Sequence, residues 1–293
     1  MEAVKKLGKK TLYIRGSPST LIYLDEKVYV VDPGLGSKRA KKIRSIIRKL
    51  NKNYVICILT HYHADHIAIS EKIKPREIWV SEKDAPYVED SVLRNYMTYG
   101  YAFKSADYLL YNAPDIRVDC RLKVPYRING LDIIPLPGHT LGHVGVLTDD
   151  SVAYLADSFF GERVLSNVGI PYYFNPFLAL QTLDYVEENI AVDYETIIIS
   201  HGPVLSKDEY KEVISKNRER IVKIVNMVLE ELSKSPKNTM ELALKILNRL
   251  SVEANHTLLM LSNVFLKSLL SKLEEQGEVK LLVTERGLVW KKT

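Results

Sequence analysis

Through about residue 200 the chain alternates short apolar runs with segments of helical spacing. TLYIR, STLIYL and KVYVVD are β-branched or aromatic runs separated by Gly-Ser-Pro and Asp-Glu, the pattern of antiparallel strands joined by tight turns. VVDPGLG ends the third run in a Pro-Gly turn. SKRAKKIRSIIRKLNK, residues 37–52, places Ile43, Ile46, Ile47 and Leu50 at helical spacing, which predicts a surface helix with a solvated basic face. YVICILT follows as a buried strand. REIWVS, RINGLDIIPL, HVGVLT and SVAYLAD are further strand-like runs, and PFLALQTLDYVEENI and ETIIIS read as a helix and a strand. Strands flanked by helices on both sides predict a layered α/β domain. Residues 85–120 are Tyr-rich without a clean period. They read either as an insertion covering a site or as plain helical packing.

The pattern changes near residue 206. SKDE has Ser206 and Glu209 at capping-box offset and predicts the start of a long helix ending near SKSPKN. NTMELALKILNRL predicts a short helix capped at Thr239. The next helix carries Leu266, Leu269, Leu270 and Leu273 on one face and stops at Gly277. EVKLLV and GLVW, joined by TERG, predict a hairpin. Three helices and a two-stranded wing outline a winged-helix-like module. The expected division is therefore 1–205 and 206–293.

Bulk chemistry narrows the function classes. The 293 residues carry a net charge of +5, with 16 basic and 12 acidic residues in 207–293. That slight excess neither demands nor excludes a phosphate-bearing partner. No apolar run reaches the roughly 18 residues of a membrane helix, and the basic start MEAVKKLGKK lacks the apolar stretch of a secretory signal. Two cysteines, Cys57 and Cys120, exclude a disulfide framework and fit a reducing cytoplasm.

The chemistry concentrates in THYHADH, residues 60–66, directly after a buried strand. His61, His63, Asp65 and His66 fall on one loop and helix start. Imidazole suits zinc and iron, and carboxylate adds a hard, charged donor. His139 in PLPGHT, Asp157 in VAYLAD and His201 in IIISHGP each end a strand-like run. Sites in α/β sheets gather at strand ends, so the four segments are predicted to converge. His143, four residues beyond His139, reads first as shaping the Gly-rich turn through a hydrogen bond, with a proton donor or substrate contact as the alternative. His256 lies outside these motifs and reads as structural.

HYHADH together with VVDPG, His139, Asp157 and His201, in that order, resembles the metallo-β-lactamase superfamily over about residues 12–205. The resemblance implies an αββα sandwich with metals at one edge. It implies that His61, His63 and His139 bind one ion, that Asp65, His66 and His201 bind the other, and that Asp157 bridges them. It makes Asp32 a supporting residue rather than a ligand. Asp157 stands where true β-lactamases often have Cys, which turns the reading away from antibiotics.

The implied activity is hydrolysis of a thioester, ester or lactone by a metal-bridging hydroxide, with Asp65 orienting it. The implied cofactors are two divalent ions, zinc foremost, with iron or manganese as alternatives. PGHTLGH and LADSFFG look like the hydroxyacylglutathione hydrolase branch, although the glutathione-binding residues find no match. Two further readings are a single-strand endonuclease guided by the C-terminal module and a mononuclear iron persulfide dioxygenase. The partner expected first is a small-molecule substrate.

Overall fold

A computed structural model describes residues 4–104, 109 and 111–293 of the chain. Seven strands form one sheet in sequence order: β1 (Val4–Lys6), β2 (Thr11–Ile14), β3 (Thr20–Leu24), β4 (Val28–Val31), β5 (Val55–Leu59), β6 (Glu77–Ser81) and β7 (Cys120–Leu122). Pairing is antiparallel as far as β4 and parallel from there to β7. A second sheet runs β13-β12-β11-β10-β9-β8. Its strands are β8 (Tyr126–Ile128), β9 (Leu131–Pro135), β10 (Val144–Thr148), β11 (Val152–Ala156), β12 (Thr196–Ile199) and β13 (Val204–Ser206). Only β11 and β12 pair in parallel within it. The edge strand β1 has no counterpart in the sequence pattern. Its three residues are exposed, and its lysines suit a sheet edge that must not recruit another chain.

The sandwich follows from side-chain alternation. Val31, Ile58, Val146, Tyr154 and Ile198 point between the sheets. Their neighbours Val30, Cys57 and Leu59 point outward against Ile43 and Ile47 of α1 (Ser37–Lys49). On the far sheet, Leu155, Ile197 and Ile199 face outward against Leu183 of a second covering helix. Both faces of β5, β10 and β11 are buried, so these strands read as continuous apolar runs. The expected αββα layering is the one the chain adopts.

Short helices fill the connections: α2 (Ala64–Ile67), α3 (Ala85–Glu89), α4 (Ser91–Tyr99), α5 (Glu162–Val168) and α6 (Pro176–Tyr185). The helix predicted over 176–190 is continued by a wider π turn at Val186–Ile190. The basic face of α1 is not wholly solvated. Arg39 is buried and donates to the carbonyls of Pro33, Arg15 and Ile14 and to Thr20 Oγ1. Its planar fork closes a loop that offers several acceptors.

The C-terminal part contains α7 (Glu209–Lys234), α8 (Thr239–Arg249), α9 (His256–Glu275), β14 (Val279–Thr284) and β15 (Gly287–Lys292). The main chain of Lys237 pairs both ways with Trp290, at 3.0 and 2.8 Å, and adds a third short stretch beside the hairpin. Two expected caps move. Ser206 belongs to β13; its N–H and hydroxyl both donate to Glu209, and α7 begins only at Glu209. Asn238, not Thr239, caps α8 through a reciprocal pair with Glu241, because its carbonyl oxygen reaches the N3 amide. Ile221, Leu242, Ile246, Phe265 and Leu269 share one core with Phe160, Leu165, Ile170 and Tyr173 from before residue 206. Among the described residues no helix is long and apolar enough to cross a membrane.

Candidate metal centre

Four strand ends meet at one edge of the sandwich. The turn after β5 carries His61 and His63, and Asp65 and His66 follow on the first turn of α2. The β9–β10 loop carries His139, the end of β11 carries Asp157, and the end of β12 carries His201. The seven predicted donors are therefore brought together.

They fall into two groups. Donor atoms of His61, His63 and His139 lie within 4.8 Å of one another, as do those of Asp65, His66 and His201. His63 Nδ1 stands 2.8 Å from His139 Nε2, and His66 Nε2 stands 3.3 Å from His201 Nε2. Asp157 lies between the groups, with Oδ2 3.3 Å from His139 Nε2 and 3.4 Å from His201 Nε2. Its Oδ1 is 3.4 Å from His66 Nε2.

The far side of most rings is tied down, which fixes the tautomer. His139 Nδ1 donates to the Tyr172 carbonyl at 2.9 Å, and His66 Nδ1 donates to Asp32 Oδ2 at 2.8 Å. Asp32 also accepts the Thr60 hydroxyl, so His61 Nδ1 donates to Thr60 Oγ1 at 3.0 Å. His201 Nδ1 is 2.7 Å from Ser17 Oγ. These bonds leave the Nε2 atoms of His61, His66 and His139 aimed inward. His61 Nε2 and Asp157 Oδ1 are buried without a hydrogen-bond partner. Orphaned inward acceptors of this kind fit a cation, and outer contacts of this kind orient metal-bound imidazoles.

Electrostatics divide the site. Burial depresses His61 and His139 and takes His63 down to about 3, so this group is neutral and ready to ligate. Burial opposes charge at His201 too, but Asp157 and Asp65 outweigh it and raise His201 to about 10. The same carboxylates, with Asp32, raise His66 against its burial. Burial would protonate Asp157 and Asp65, yet His201 and His66 hold both below the usual carboxylate range.

The scaffold of motifs agrees with this geometry. A family model described as the metallo-beta-lactamase superfamily matches residues 12–201.

The chain belongs to the metallo-beta-lactamase superfamily.

Similar sequences include a probable metallo-hydrolase of Streptococcus pyogenes serotype M6, 29% identical over 54% of this chain and 68% of that protein. A second is the hydroxyacylglutathione hydrolase GloC of Haemophilus influenzae, 29% identical over 48% of this chain and 66% of that protein. Among solved structures, a beta-lactamase domain protein from Burkholderia ambifaria shares the fold. Its TM-score is 0.71 at 15% identity, covering 100% of this chain and 97% of that one. A metallo-beta-lactamase family protein of Thermus thermophilus gives 0.69 at 16% identity, with 96% and 94% covered.

Within this metallo-beta-lactamase fold, other residues hold the donors in place. His143 donates from Nδ1 to the Leu136 carbonyl and accepts the Asp157 main-chain N–H at Nε2, 3.2 Å away. It shapes the turn, as expected, and also pins the strand end that carries Asp157. His256 lies apart, exposed at the first turn of α9. Sequence reasoning missed Asp84. Its buried carboxylate accepts the Thr140 hydroxyl at 2.6 Å and the Gly142 N–H at 2.9 Å, clamping the turn that presents His139. Burial outweighs those bonds and pushes Asp84 up to about 7. The one signal was its place before Ala-Pro at a helix start, which reads equally well as a cap.

The Tyr-rich segment reaches the site. Arg94, Asn95, Thr98 and Tyr99 of α4, with Tyr111, line the cavity above Asp65 and His139. Residues 105–108 and 110 of that segment lie outside the described residues.

Proposed function

We propose that this protein is a metal-dependent hydrolase of a thioester, ester or lactone, working through two divalent ions. His61, His63 and His139 would hold one ion, Asp65, His66 and His201 the other, and Asp157 would touch both. The observation that carries this reading is the position of Asp157 Oδ2, 3.3 and 3.4 Å from imidazoles of the two groups. Bound divalent ions supply Lewis acidity, polarising an acyl oxygen and bringing the pKa of water down to roughly 7.

The chain's own residues do the rest. Asp65 lines the cavity and is kept ionised by His66 and His201 in spite of burial, so it can orient water by accepting a hydrogen bond from it. Thr60, Asp32, Tyr172 and Ser17 fix the imidazoles from behind. The relatives named as a probable metallo-hydrolase and a hydroxyacylglutathione hydrolase support water as the acceptor. We read residues 206–293 as a winged-helix-like module that packs on the catalytic part. The shared core supports that use over nucleic-acid guidance.

Metal analysis of the purified protein, with a screen of thioesters, lactones, phosphodiesters and RNA, tests the reading. About two ions per chain are expected, because seven donors exceed what one tetrahedral ion takes. A fully loaded sample that holds a single iron and consumes oxygen with a persulfide would sink it.

A further inference from the structure

The cavity above the donors has a volume of about 280 Å³, near the lower end for ligand sites. Its floor is the donor set. One wall comes from Val164 and Val168 of α5 and from Ile170. Leu258 and Leu261 on the first turns of α9 add further apolar lining, so the C-terminal module completes the site. Phe160, Tyr99 and Tyr172 add aromatic surface.

The charge inventory is as informative as the shape. Among the described residues that line this cavity, Arg94 is the one lysine or arginine. Its two terminal nitrogens are already committed. Nη1 donates to the carbonyls of Tyr87 and Val88 at 3.0 and 3.2 Å, and Nη2 donates to those of Ala113 and Pro114. Arg94 is 1% exposed and its Nε–H is buried without a hydrogen-bond partner; the carbonyls on Nη1 and Nη2 hold its charge against the loop over the site. Among the described residues, the carboxylates of a glutathione moiety or the phosphates of a nucleic acid would meet no exposed lysine or arginine there. A charged group that loses water without a partner is strongly disfavoured, whereas a hydrocarbon gains from every contact with such walls.

We propose that the substrate presents a neutral hydrocarbon acyl chain to this cavity, as an ester or thioester, and that Leu258 and Leu261 of α9, which line it together with Val164 and Val168, set the chain length accepted. The proposal rests on the hydrolase reading above. The reaction adds water across the acyl–oxygen or acyl–sulfur bond. The acyl carbon keeps the water oxygen and leaves as a carboxylate. The alcohol or thiol departs with one proton, and the second proton passes to solvent.

The test uses the metal-loaded full chain and a series of acyl esters and thioesters from acetyl to octanoyl, with S-lactoylglutathione and a single-stranded RNA alongside. The expected result is a kcat/KM that climbs about fourfold per added methylene, the increment of a fully buried CH2, until the cavity is full. The double variant Leu258→Ala, Leu261→Ala deepens the wall and moves the optimum to a longer chain. A packing role alone would lower all substrates together. Lys267→Glu, on the exposed side of α9, leaves the profile unchanged. Hydrolysis with a flat chain-length profile, or with S-lactoylglutathione preferred, overturns the acyl selection and leaves the hydrolase reading standing. RNA cleavage with no ester or thioester turned over overturns both.

Discussion

Asp157 lies between the two histidine groups, with one carboxylate oxygen 3.3 Å from His139 Nε2 and 3.4 Å from His201 Nε2. Asp157→Ala removes one of the two carboxylates that His66 and His201 share, the other being Asp65, and the one that also reaches His139. Metal content and hydrolysis are expected to fall together while the circular-dichroism spectrum stays native. His256→Ala, at the one histidine outside the cluster, retains full metal loading. Activity persisting in Asp157→Ala with two ions bound would show the ligand assignment to be wrong.

Asp84 gives a pH signature. In the unfolded chain an Asp ionises near 3.9, whereas burial lifts Asp84 to about 7 in the folded protein. From roughly pH 4 to 7 the folded state therefore binds more protons than the unfolded one. Stability must fall as pH rises through that window. Asp84→Asn has no such titration. The Tm of Asp84→Asn relative to the parent should climb as pH rises from 4 to 7 and level off above it. A Tm difference that does not change with pH would remove Asp84 from this role.

At the scale of elements, the turn that presents His139 depends on a close approach. Gly138 sits at φ +139°, and a Cβ there would stand 2.6 Å from the Ala179 backbone in α6. Both the backbone conformation and the space call for glycine. Gly138→Ala is expected to cost on the order of 1–3 kcal/mol in a strained conformation and to lower metal occupancy by displacing His139. Thermal unfolding with metal analysis reads both effects. Native stability with native loading would show that α6 can yield.

Much of this architecture was legible because its signals are local. The donors stand at the ends of apolar runs, and strand ends converge. Asp32 and His143 were legible as support because they lie inside the motifs. What stayed hidden depends on main-chain atoms or on distant packing. His139 is held by the Tyr172 carbonyl and His143 by the Leu136 carbonyl, and carbonyls leave no mark on residue type. Arg39 belongs to a basic run, so nothing in its neighbourhood distinguishes a buried fork from a solvated one. Leu258 and Leu261 read as helix filler until α9 is seen against the cavity.

At the scale of the whole molecule, the cations that a nucleic-acid reading would use are differently employed. Arg286 pairs with Glu241 in α8, and Lys272 pairs with Glu275 at 2.7 Å. Lys267 is exposed on α9, but the first turns of that helix face the cavity. Changing Lys267, Lys272 and Arg286 together to Glu should leave hydrolysis of a short ester within about twofold, since surface pairs contribute little. Any RNA retention by the parent protein should show a shallow dependence on salt, because few phosphates are gripped. Steep, salt-sensitive RNA binding that the triple variant abolishes would restore the nuclease reading.

The seven donors sit on strand ends completed by His201, while one wall of the cavity stands on a helix that begins at His256. On the proposed reading, the donors and this one wall are therefore written in separate stretches of the gene. Substitutions on the first turns of α9 can reshape what enters without disturbing a single ligand. Across descendants of such a protein, the reaction would be inherited while the diet drifts.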